Sequence, residues 1–301
     1  MKFFALWCAM FWKNITVRCQ WCFYKLKVIS YRGHCLLFRH LHYRVIFAFS
    51  HVSRFLGLTS RDLKLRAIVA QSNRHCLLND NKKFDYIWLT QRRQLLVQAV
   101  TYGQNQWALQ ELADCSAQLN AIVEPLQRAG QPVILAPLHM VSDILSTMVG
   151  ASAFPGKATV ITSRSADAHS AAERQLGGLD ITYCSIHEGN KNIAGNLMAS
   201  VMDAADNQRN IILFPDITPD FTQFASKDKA EKLSCQLFDR AASLHSGIIR
   251  LARIMSAKVV FYHLYYDKGL KIYIHEPVSA KKLKDEMPRI IERNTHTRIV
   301  F

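Results

Sequence analysis

Val133-Ile134-Leu135-Ala136-Pro137-Leu138-His139-Met140-Val141-Ser142-Asp143 is the stretch that decides the fold. Its first six residues are apolar, begin on two β-branched side chains and are too few for a helix. They read as a buried strand. His139 leaves the end of that strand, and an acid, Asp143, follows closely. Downstream, runs of the same kind recur at residues 159–162, 181–184, 210–214, 258–265 and 270–275. Between the runs, residues 144–150, 167–176, 190–205 and 240–255 carry helical spacing. Strands alternating with helices predict an α/β domain: a mixed, mostly parallel sheet flanked by helices. Asp267-Lys268-Gly269 joins the last two strands as a tight hairpin, so one edge is expected to be antiparallel.

Upstream of this pattern, residues 86–101 and 107–129 repeat apolar residues every three or four positions. The second run stops at Gly130, a good helix terminator, and Pro125 is expected to shorten or kink it. In parallel sheets chemistry collects beyond the carboxyl ends of strands. That rule singles out Leu138-His139, Ser163-Arg164 and Pro215-Asp216.

The 301 residues are half apolar and one-fifth charged, which suits a folded chain and excludes a disordered one. The formal net charge of +15 favours anionic partners. Its distribution chooses among them. No Asp or Glu precedes Asp62, whereas ten Lys or Arg fall in that stretch, interleaved with Phe, Trp, Leu and Tyr. Basic residues on an aromatic, apolar segment fit a membrane interface better than a DNA groove. Residues 1–65 are therefore expected to be a membrane-associating segment of basic amphipathic helices. The alternative is a basic helical hairpin packed on the protein's own core. The apolar run 3–12 is about half the length that spans a bilayer, and no small-residue cleavage site follows it. The eight cysteines show no repeated spacing, which argues for a reducing compartment and against a disulfide scaffold. Cys19 and Cys22 with Cys35 fall short of the paired spacing of a structural zinc site, so no metal is expected.

Four places can do chemistry. His139 can accept a hydroxyl proton near neutrality, and Asp143 can orient the imidazole; the alternatives are a structural histidine and a helix N-cap. Arg164 can grip phosphate or carboxylate in a bidentate way, or form an ordinary ion pair. Asp216 lies in a proline-stiffened loop with Asp220, or binds its own backbone in a turn. Ser246-Gly247 opens a helix whose free amides can receive an anion, or is simply a capped start.

In this order the segments resemble the bacterial lipid A biosynthesis acyltransferases, the lauroyl and myristoyl transferase family. The resemblance covers roughly residues 131–277. It rests on Val133 through His139 with Ser142-Asp143-Ile144-Leu145, on Arg164 with the run to Gly177-Gly178, on Ile211 through Asp216, and on Ala241 through Val260. The family places its acid one position further from the histidine, so Asp143 is matched through a one-residue contraction. The family's second acid in the third block falls on Thr218 here. The resemblance implies an acyltransferase domain over residues 66–301, with His139 and Asp143 catalytic and Arg164, Asp216, Ser246 and Gly247 binding substrate. It implies transfer of a fatty acyl chain from an acyl-carrier-protein or coenzyme A thioester to a hydroxyl or amine of a lipid or glycolipid. It also implies a peripheral or monotopic position on the cytoplasmic face of the inner membrane, an acidic acyl carrier protein as partner, and no resident cofactor. Two other readings stand beside it: a lipid-binding or scaffolding homologue without catalysis, and a basic nucleic-acid-binding protein. Against the second, no helix-turn-helix, zinc-finger or RNA-binding signature is found.

Overall fold

The fold is built outward from the strand Val133–Pro137. In a computed structural model, residues 11–13, 16–22, 24–25, 33, 35–57, 61–78, 84–162, 179–185, 193–217 and 232–298 are described. The chain enters the sheet through α1 (Tyr43–Phe55), α2 (Arg61–Leu78), α3 (Tyr86–Thr101) and α4 (Gln106–Arg128). Then come β1 (Val133–Pro137), α5 (Asp143–Ser152), β2 (Lys157–Thr162), β3 (Asp180–Ser185), α6 (Ile193–Ala205) and β4 (Asn210–Ile212). The second half holds β5 (Lys232–Leu237), β6 (Arg240–His245), α7 (Gly247–Ile254), β7 (Lys258–Tyr266), β8 (Leu270–Ile274), β9 (Val278–Ser279) and α8 (Leu283–Arg298).

One seven-stranded sheet runs in the order β3-β2-β4-β1-β7-β8, and β9 also pairs with β7. The pairs β3–β2, β2–β4, β4–β1 and β1–β7 are parallel, whereas β8 and β9 are antiparallel to β7. The α/β class and the antiparallel hairpin edge agree with the sequence. All five residues of β1 are buried, because both faces of a central parallel strand are covered. Val133 and Leu135 face one core with α1, α3, α4 and α5. Ile134, Ala136 and Leu138 face the other with α7 and α8. Strand alternation thus sends successive β1 side chains into two separate layers.

The helix ends follow local chemistry. Asn105 caps α4 by accepting from the Ala108 N–H at 3.1 Å. At the far end Gly130 takes a φ of +73°. Gly130 N–H donates to Gln127 O and Gln131 N–H to Leu126 O, the paired bonds of a Schellman turn. The helix continues through Pro125 to Arg128, so the proline does not shorten it.

Three expectations are corrected or bounded. Residues 240–245 were expected in a helix running to 255; they form β6, paired antiparallel with β5, and α7 starts only at Gly247. The two hairpin residues Phe238 and Asp239 both have positive φ, and strand pairing overrides the helical preference of Arg240-Ala241-Ala242. The segment assigned to residues 1–65 is not separate throughout: Phe38, Tyr43, Ile46 and Phe47 belong to the same core as the sheet. The expected helix at 167–176 lies outside the described residues. Among the described residues no helix is long and apolar enough to cross a membrane.

Candidate active site

The register of β1 on β4 makes the site. Leu135 is aligned with Ile212. His139 stands four residues beyond Leu135, and Asp216 four beyond Ile212. The ladder continues past both strands, with Leu213 N–H donating to Leu135 O and Leu138 N–H to Tyr262 O. Two neighbouring parallel strands therefore deliver their next residues to one place at the carboxyl edge of the sheet.

There a single carboxylate holds His139 at two points. Asp216 Oδ2 accepts from the His139 backbone N–H at 2.7 Å, and Asp216 Oδ1 lies 2.7 Å from His139 Nδ1. An ionised carboxylate only accepts, so the neutral imidazole carries its proton on Nδ1 and leaves Nε2 bare. The ring also packs on Phe214, with centroids 4.5 Å apart. The side chains are 36% exposed for His139 and 14% for Asp216, so the imidazole is reachable and its partner is shielded. Burial pulls the imidazole pKa down. The hydrogen bond and charge of Asp216, aided by the charge of Asp143, outweigh burial and the opposing Arg93, and the net shift is upward.

Asp143, expected to orient the imidazole, does not hydrogen-bond it. Ser142 takes the N-cap of α5 by accepting from Leu145 N–H at 3.3 Å, which makes Asp143 the first helical residue. Its carboxylate, half-exposed, sits 3.5 Å from Arg93 Nη2 on α3. The orienting acid comes from the third sequence block and not from the first. Ser246 and Gly247 lie at the junction of β6 and α7; neither hydrogen-bonds to His139 or Asp216. Arg164, Thr218 and Asp220 lie outside the described residues. Among the described residues no group of three or more His, Cys, Asp or Glu is placed to hold a metal.

His139 lines a cleft of about 250 Å³. One wall is α3, which presents Tyr86, Leu89, Arg93 and Leu96 at helical spacing, with Arg92 beside them. The opposite side comes from Met140 and Val141 and from the end of β7, Leu264 to Tyr266. Phe47 of α1 packs edge-on against Trp88 at 5.5 Å and at a tilt against Tyr266 at 5.7 Å. Sequence reading missed the α3 side of the site. Its arginines, Arg92 and Arg93, lie 47 and 46 residues before His139, and nothing local marks them. Protein-family models and curated proteins give no match to this chain.

Proposed function

We propose that this protein is a membrane-associated acyltransferase in which His139 is the general base and Asp216 its orienting partner. The observation that carries the reading is the two-point hold of Asp216 on His139, which fixes both the backbone and the tautomer and leaves Nε2 to take a proton. The chemistry follows. Nε2 removes the proton from an acceptor hydroxyl or amine, and the acceptor atom attacks the thioester carbonyl carbon. The tetrahedral intermediate collapses, the C–S bond breaks, and the departing thiolate takes the proton from the imidazolium. Asp216 stabilises the imidazolium that forms between the two steps.

The surroundings suit a lipid substrate. Apolar Leu89, Leu96, Val141 and Leu264 line the cleft beside His139. The helix backing the cleft wall, α1, buries Tyr43, Ile46 and Phe47 but exposes Val45, Phe49, Val52 and Phe55. Those four recur at three- and four-residue spacing and form one outward apolar face, with Arg39, Arg44 and Arg54 close by in sequence. Arg44 and Arg54 are ion-paired with Glu111 and Asp85, so it is the apolar face, with exposed Arg39 near it in sequence, that suits a bilayer surface. An acceptor held in that bilayer would reach the cleft along α1.

The test is product identification. Purified protein is incubated with a long-chain acyl thioester and a membrane lipid extract, and new acylated lipids are sought by mass spectrometry alongside free thiol. A lipid gaining one acyl group in step with thiol release, absent with His139→Ala, is expected. Thiol release without any acylated product, or no reaction from either coenzyme A or carrier-protein thioesters, would count against transfer. The scaffolding reading would then stand.

A further inference from the structure

The cleft beside His139 carries positive charge that proton transfer does not use. Arg92 lies half-buried on α3, its guanidinium 4.6 Å from the centre of the Tyr266 ring. Among the described residues it has no carboxylate partner; the group that faces it is Tyr266. Burial alone pulls its pKa below the ordinary arginine value, yet a guanidinium stays charged at any physiological pH. Arg93, the next residue, lines the same cleft. Among the described residues its ion pair, to Asp143 at 3.5 Å, is long and half-exposed, so its donors are only weakly engaged. Two guanidinium groups and an imidazole thus share a cleft of about 250 Å³; among the described residues their carboxylate partners are Asp143, on Arg93, and Asp216, which is committed to His139.

A partly desolvated cation without a counter-charge is costly, and the stacking of Arg92 on Tyr266 relieves only part of that cost. An anion bound in the cleft would offset that cost. A phosphate monoester carries up to two charges and three acceptor oxygens, and a diester one charge and two free oxygens on a tetrahedral centre; either can bridge two guanidinium groups, and the monoester does so with more charge than a carboxylate, which offers one charge and two oxygens. On the acyl-transfer reading above, we propose that Arg92 and Arg93 bind a phosphate ester of a substrate and so hold the reacting group against His139. That phosphate belongs either to the headgroup of the lipid acceptor or to the phosphopantetheine arm of the acyl donor.

Binding is measured by calorimetry without reading acyl transfer, using two matched pairs: phosphopantetheine against pantetheine, and monolauroylglycerol phosphate against monolauroylglycerol. At least one phosphorylated member binds about tenfold or more tightly than its phosphate-free partner. The pair that shows the difference names the source, donor or acceptor. Arg92→Gln removes the difference, and Arg93→Gln, on a half-exposed side chain, reduces it severalfold with an unchanged melting temperature. His139→Ala keeps it. Equal affinity within both pairs overturns the proposal, as does discrimination that survives in the folded Arg93→Gln and Arg92→Gln proteins. A hemisuccinate ester of monolauroylglycerol binding as tightly as the phosphate would also overturn it. Retained discrimination in a protein that transfers no acyl group would leave the anion site standing and remove the acyltransferase reading.

Discussion

At the residue scale the decisive pair is His139 and Asp216, and its electrostatics have a sign that can be measured. The imidazole pKa is raised above the ordinary histidine value, against the pull of burial, by Asp216 and to a lesser extent Asp143. A general base works as the neutral ring, so activity should rise with pH through that raised value. Asp216→Asn removes the carboxylate charge and should move the His139 titration, followed by NMR, to lower pH. Asp143→Asn should move it less. The same shift bears on stability. With the folded-state value above the unfolded one, the protonated ring stabilises the fold; this increment is fully present below about pH 6.5 and fades as pH rises through the raised value. The melting-temperature gap between wild type and Asp216→Asn should therefore be wider at pH 5.5 than at pH 8.5. His139 and Asp216 were each legible as residues at strand ends. Their pairing was not, because 77 positions separate them and only the adjacency of β1 and β4 brings them together. Local spacing pointed to Asp143, whose carboxylate instead faces Arg93 on α3.

At the scale of elements, α5 connects the site to the sheet. It lies close because Gly150 faces β1, β4 and β7: a Cβ there would meet Tyr262 Oη at 2.5 Å and Ile212 Cδ1 at 3.0 Å. The Tyr262 hydroxyl cannot yield easily, since it donates to Ser146 O of α5 at 2.8 Å. Gly150→Ala should cost about 1–3 kcal/mol by overpacking, read as a lowered denaturation midpoint. Buried Asn210 secures the other end of the unit, accepting from Gln127 Nε2 at 2.8 Å and donating to Ala153 O at 3.1 Å and Phe154 O at 2.9 Å. Most elements were visible in the sequence because their signals are local: apolar runs for the strands, Gly130 for the end of α4, Asp267-Lys268-Gly269 for the last hairpin. The β5–β6 hairpin was not. Its turn is Phe238-Asp239, without the glycine or asparagine that marks positive φ, and its second strand begins Arg240-Ala241-Ala242, residues that favour a helix.

At the scale of the molecule, α1 joins the basic N-terminal region to the core that includes the sheet. Tyr43 Oη donates to Glu111 of α4 at 2.7 Å, and Glu111 also accepts from Leu270 N–H of β8 at 2.7 Å. Arg44 Nη2 reaches the same carboxylate at 3.1 Å. One acid thus fastens α1 to both a helix and the sheet edge. The composition of residues 1–61 revealed the greasy, basic character but not which face would turn inward, because Phe and Tyr suit a core and an interface equally. The outward face is now specific: Phe55 is 92% exposed, and Phe49 and Val52 lie on the same side. Replacing Phe49 and Phe55 together by Ser should weaken binding to vesicles containing anionic lipid by about tenfold or more, given roughly 1.5–3 kcal/mol for each fully buried aromatic side chain, and leave thermal stability unchanged. Binding of wild type should also fall as salt is raised.

The most direct measurement is thiol release from a long-chain acyl thioester in the presence of a lipid acceptor, compared among wild type, His139→Ala, Asp216→Asn and Asp143→Asn, each verified as folded. His139→Ala should lower turnover by about 10²- to 10⁴-fold, Asp216→Asn by about tenfold or more, and Asp143→Asn by much less than Asp216→Asn. Wild-type turnover by the folded His139→Ala protein would contradict the assignment of the base. A larger loss in Asp143→Asn than in Asp216→Asn would contradict the pairing.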